Sequence, residues 1–196
     1  MKTAVCILSL ALLLLACNKK DKEQQDDPAP ASTTSGGSGT STTSAATPAG
    51  VASVTVTSGT KTTALSGSCG WATAAGVNYI GAKDQANSLR ALEASFNIQS
   101  LPVQTTTYAL VAYDVNDTDP THVSMSFSEQ IGNGLLEWSS DASSGSLTLV
   151  VSGNKVTVNL AGISLKAQTN SGFYINLNTG EYANPGVLSG TLTFYK

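Results

Sequence analysis

Short runs in which an apolar side chain alternates with a small polar one recur from Val51 to the carboxy terminus, and this period of two restricts the fold more than any other feature. Val54-Thr55-Val56-Thr57, Val123-Ser124-Met125-Ser126-Phe127, Leu147-Thr148-Leu149 and Val156-Thr157-Val158-Asn159-Leu160 all carry it. Successive residues of a strand point to opposite faces, so each run predicts a strand with one dry and one wet face. Ser and Thr fill the wet face more than Lys and Glu do. Ser152-Gly153-Asn154-Lys155 separates two such runs, and Gly-Asn tolerates positive φ, which predicts a tight hairpin from Leu147 to Leu160. Other breaks fall at Gly59, Asp114 to Pro120, Gly132 to Gly134, Asp141 to Gly145, Asn170 to Gly172 and Thr179 to Gly186. This turn spacing predicts an all-β fold, a single antiparallel β-sandwich with a small β-barrel as the alternative. Ala82 to Ala94 is rich in helix formers, yet its β-like flanks favour a strand from about Leu89 to Ile98.

The 196 residues, of which 12% are charged, fit one domain and exclude a basic nucleic-acid binder. Ten Lys and Arg against thirteen Asp and Glu give a net charge of -3, too small a field to select a polyanion or polycation. One His and three Cys are too few for a Cys₄ or Cys₂His₂ zinc site, a disulfide framework or a His-based metalloprotease motif.

Before the β-like region the composition differs. Met1-Lys2-Thr3 is a short positive start, and the apolar run Ala4 to Ala16, broken only by Ser9, is about 20 Å long as a helix, less than the ~30 Å hydrocarbon core of a bilayer. Positions 1–16 therefore read as a secretory signal peptide. Leu14-Leu15-Ala16-Cys17 resembles the lipobox of bacterial lipoproteins. The resemblance implies that Cys17 takes a diacylglyceryl group on sulfur and becomes the first residue of the mature chain. Membrane attachment would then be by acyl chains, without a span. By the same resemblance, Asn18 stands where an Asp would favour inner-membrane retention, which implies the outer membrane as the default destination. Lys19-Lys20-Asp21-Lys22-Glu23, with Asp26 and Asp27, is similar to the charged clusters that direct many Bacteroidota lipoproteins to the cell surface; the same residues also read as a solvated charge run. Residues 31–48 contain eleven Ser or Thr, three Gly and one Pro with no charge, a composition that cannot offset its ordering entropy. Positions 17–50 thus form a disordered tether with a root-mean-square reach of roughly 30 Å, leaving 51–196 as the folded domain.

Few residues offer chemistry. Cys69 is the only thiol after Cys17, and a nucleophilic Cys needs a base or a cation beside it. His122, the sole imidazole, is expected at the surface end of a strand. Asp114, Asn116, Asp117 and Asp119 have alternate oxygens suited to Ca²⁺, although in EF-hand register position six is Asp119 instead of Gly and position twelve is Met125 instead of Glu. Asx-rich turns produce the same pattern without metal. Glu93, Glu129, Glu137 and Glu181 lie in no recognisable catalytic setting. Trp71, Trp138, Tyr174 and Tyr182 are candidate platforms for stacking sugar rings, with burial in the core as the alternative for the tryptophans.

The sequence thus points to a non-catalytic lipoprotein of the cell outer membrane, carrying a β-rich binding or adhesion module for a glycan. The alternative is a structural component of an outer-membrane protein complex. No cofactor is expected. The carboxy-terminal strand Gly190 to Phe194 is similar in texture to small β-rich domains of Bacteroidota lipoproteins.

Overall fold

The computed structural model describes residues 49–74, 76–132, 134–168 and 185–196. Among them are ten strands and no helix: β1 (Gly50–Ser58), β2 (Lys61–Ala74), β3 (Val77–Asp84), β4 (Arg90–Phe96), β5 (Thr106–Val111), β6 (His122–Ile131), β7 (Gly134–Ser139), β8 (Ser146–Ser152), β9 (Lys155–Ala167) and β10 (Gly186–Tyr195). Ala82 to Ala94, rich in helix formers, spans the end of β3, a connection and most of β4, and the predicted hairpin is β8–β9, with Ser152 opposite Lys155. Gly153, at φ 61°, takes the left-handed conformation that a two-residue connection requires.

The first strand pairs with the last. Val51 lies opposite Thr193 and Thr57 opposite Val187, while β10 also pairs with β9, so the order β10-β1-β2-β3-β4-β6-β5-β8-β9 returns to β10 and closes a nine-stranded barrel. This corrects the β-sandwich expectation in favour of the barrel. Both architectures produce the same alternation along each strand; what separates them is the pairing of β1 with β10, which no local pattern encodes. All neighbours are antiparallel except β5 and β6, which run parallel over Ala109 to Val111.

The remaining strand, β7, makes a seam. It lies beside the lower half of β6, with Ser126 opposite Ser139 and Ile131 opposite Gly134. It also touches the lower end of β9 through Trp138–Ala167 and Ser139–Lys166. The β5–β8 pair fills the same gap at the upper half. The wall therefore has nine strands above and eight below. Where the two solutions meet, ladder hydrogen bonds run out, and the β7–β8 loop supplies substitutes. Ser140, buried, donates from Oγ to the Val111 carbonyl at 2.6 Å and accepts the Met125 N–H at 2.8 Å. Ser144, also buried, donates to the Ser164 carbonyl at 2.5 Å. Both hydroxyls take the place of strand partners for backbone groups that would otherwise be buried unpaired. On the opposite flank β9 bends at Gly162 (φ 71°), where Ile163 pairs with Leu188 and Ala161 with Ser189, leaving Gly162 as a bulge.

The bore is filled by side chains. Inward residues of every strand, among them Val54, Leu65, Ile80, Leu92, Phe127, Leu149, Val158 and Leu192, form one apolar cluster. A barrel of this strand number has room for side chains and little else. The upper end is closed by a row of rings, Trp71 to Phe96 at 5.5 Å and Phe96 to Tyr108 at 5.1 Å between centroids, with Ile98 and Leu101 of the β4–β5 loop packed against the same cluster. The lower end is closed by ions. Asp84, Arg90 and Glu129 share the inward face of β3, β4 and β6. The Arg90 guanidinium reaches Asp84 Oδ2 at 2.7 Å and Glu129 Oε1 at 2.8 Å, and also donates to the Ala64 carbonyl. Burial works against the guanidinium charge, but the hydrogen bond and charge of Glu129, with the charge of Asp84, outweigh it and hold the Arg90 pKa above its ordinary value.

Candidate functional site

The β5–β6 connection, rich in Asp and Asn, folds back over the outer wall of the barrel at its upper rim. Three turns in which a side-chain carboxylate accepts the N–H two residues on give it shape: Asp114 Oδ1 accepts from Asn116 at 2.9 Å, Asp117 Oδ1 from Asp119 at 2.9 Å, and Asp119 Oδ1 from Thr121 at 2.8 Å. The free oxygen of Asp117 meets Nδ1 of His122 at 2.9 Å, and Nε2 of the same ring faces Asp119 Oδ2 at 3.7 Å. The backbone N–H of Asp119 and then the His122 ring hold the Asp117 carboxyl below its usual range, so it is ionised at neutral pH and Nδ1 carries the shared proton. Asp119 is lowered in the same direction, chiefly by the hydroxyl of Thr121. His122 is the first residue of β6 and half-buried, and the Asp117 carboxylate pins the loop to it.

Asp114, Asp117 and Asp119 each accept a backbone N–H of the loop itself, and Asn116 donates from Nδ2 to Asp114 Oδ1 at 3.1 Å. Among the described residues no group of three or more His, Cys, Asp or Glu is arranged to hold a metal ion.

Beneath the loop lies a shallow open cleft of about 70 Å³. Its floor is the outward face of β4 and β6, where Ser95 and Ser124 stand opposite each other. Val77 of β3, Asn97, Tyr113, Asp114, Asp117 and His122 line the sides. Tyr113 is 45% exposed. One row below the floor, Glu93 is opposite Ser126 and accepts the Ser95 hydroxyl at 2.9 Å; burial raises its pKa. Sequence reasoning passed over Tyr113, Ser95, Asn97 and Ser124. The one available signal was Tyr113, adjacent to the acidic run, because serines on a wet strand face look alike.

The aromatic candidates separate. Trp138 is 1% exposed, with its ring 6.1 Å from Phe127, so it is a core residue and not a stacking platform. Trp71 is half-buried at the upper end. Tyr174, Tyr182, Glu181 and Cys17 lie outside the described residues. Cys69 is also half-buried and donates from Sγ to the Thr193 carbonyl at 3.4 Å. Burial pushes its thiol up to about 11, against the smaller lowering effect of that bond. At pH 8 the folded protein should therefore react with an aromatic disulfide reagent at least tenfold more slowly than the same protein in denaturant. Equal rates would mean that Cys69 is an accessible thiolate.

Comparison with protein-family models, with curated proteins and with solved structures finds no match to this chain.

Proposed function

We propose that the protein is a lipid-anchored lipoprotein of the cell outer membrane whose barrel is a non-catalytic binding module for a glycan. The observation that supports this most is where the accessible polar chemistry lies. The bore is packed with apolar side chains, while the polar cleft with an exposed aromatic ring sits on the outer rim under a loop pinned by its own carboxylates. A rigid loop on a closed scaffold is suited to presenting a recognition surface. A tether reaching roughly 30 Å would hold that surface clear of lipid headgroups without fixing its orientation. Attachment rests on the resemblance of Leu14 to Cys17 to a lipobox.

A second reading, an assembly component of an envelope complex, is favoured by the exposed apolar tips Val103 (88%) and Val115 (73%) on the upper loops.

Cys17→Ser expressed in the host should move the protein from the membrane pellet to the soluble fraction. Retention in the pellet would refute the anchor. The soluble full-length variant, applied to a glycan array, should then bind; an empty array, together with a stable envelope partner surviving high salt, would give preference to the assembly reading.

A further inference from the structure

We propose that the cleft beneath the β5–β6 loop seats the terminal ring of an uncharged saccharide and rejects sugars that carry a carboxylate, sulfate or phosphate. The proposal deepens the glycan-binding reading above and rests on it. Three observations on the cleft carry it.

The first is the donor and acceptor set. Ser124 on the floor offers a hydroxyl that both donates and accepts, while Ser95, whose hydroxyl already donates to Glu93, offers an acceptor. Asn97 offers an amide, and Asp114 and Asp117 offer carboxylate oxygens that only accept. A ring bearing several hydroxyls presents donors to the carboxylates and to Ser95, and either role to Ser124. Val77 and Tyr113 add apolar surface for the C–H face of such a ring.

The second is charge. Among the described residues no lysine or arginine lines the cleft, whereas two carboxylates do. The imidazole of His122 already serves Asp117, and Glu93 lies one row below the floor. An anionic ligand would meet this field with no cation to receive it.

The third is size. About 70 Å³ is far below the ~300–1,000 Å³ of pockets that enclose a drug-sized ligand. It admits the edge of one ring, not a chain lying lengthwise. The expected affinity for a single ring is therefore weak, in the millimolar range. Tight attachment would come from many tethered copies meeting a repetitive surface.

The test uses the soluble full-length Cys17→Ser protein with two probes, a neutral methyl hexopyranoside and the corresponding methyl hexuronide. Saturation-transfer NMR should detect the neutral glycoside at millimolar concentration, and the uronide about tenfold more weakly or not at all. The amide of Ser124 and the His122 ring should shift on titration. Ser124→Trp, which fills the floor from the outward face, should abolish the glycoside signal with an unchanged melting curve. If that variant fails to fold, the shifts at Ser124 and His122 in the unsubstituted cleft decide the matter. Equal binding of both probes overturns the charge argument. Glycan binding that is indifferent to Ser124→Trp and leaves Ser124 and His122 unshifted places the site elsewhere and overturns this proposal, while the binding-module reading stands. No response to either probe and an empty array overturn both. Capture of a basic peptide in preference to the glycoside overturns the ligand class.

Discussion

Trp138→Ala should cost about 3–5 kcal/mol, enough to consume much of the 5–15 kcal/mol typical of a domain. The indole is held where the eight-stranded half of the wall is narrowest in strand number, against Phe127 on β6 and with Ala167 of β9 opposite it in register. Packing is close enough that a Cβ added to Gly186 would lie 2.7 Å from Trp138 Cδ1. A cavity left there cannot collapse easily, because three strands meet around it. With the usual dependence of stability on denaturant, the urea midpoint should fall by roughly 2 M. The half-buried Trp71, truncated in the same way, should lose less than half as much. A Trp138→Ala midpoint unchanged from that of the parent, or losses in the reverse order, would mean that the indole is outside the core.

Arg90→Met is the second large effect, again about 3–5 kcal/mol, from a different cause. The substitution keeps most of the side-chain volume but withdraws the cation from two carboxylates, one of which, Asp84, is buried to 5% exposure. Asp84 keeps the backbone N–H of Ala86 at 3.2 Å and that of Ser66 at 3.4 Å, weak support for an unpaired charge in the barrel mouth. The loss therefore belongs mostly to the stranded anion, not to the ion pair itself. In the intact protein the Arg90 Nε is buried without an acceptor, a further sign that the network is not optimised for stability. Adding Asp84→Asn to Arg90→Met should recover a substantial part of the loss. If the double variant is less stable than Arg90→Met alone, the stranded-anion explanation fails.

The strands were legible in the sequence because each carries its own alternation. Val156 to Leu160 reads as a strand whether the sheet closes or not. Even Arg90 to Phe96, amid helix formers, has Leu92, Ala94 and Phe96 spaced to face one side. Closure was not legible, since it depends on Val51 meeting Thr193 across almost the whole described domain. The seam was hidden for a related reason. Ser140 and Ser144 look like ordinary loop residues, and only the ending of ladders around them turns their hydroxyls into strand substitutes. At the candidate site the Asp114 to Asp119 cluster stood out, but a pattern of alternate oxygens is shared by metal loops and by self-capping turns. Whether those oxygens face a common centre or their own backbone is a matter of three-dimensional geometry. The serines of the cleft floor carried no signal of their own.

The pairing of β1 with β10 also sets a timetable. A chain made from its amino terminus has its opening strand ready long before the strand that must flank it, and until Tyr195 is available both β1 and β9 present bare hydrogen-bonding edges to their surroundings. Contacts this distant in sequence form slowly, because much chain entropy is lost before they begin to compensate. A nascent copy that lacks β10 is thus exposed to mispairing with its neighbours, and Gly186–Tyr195 decides whether the molecule matures or joins an aggregate.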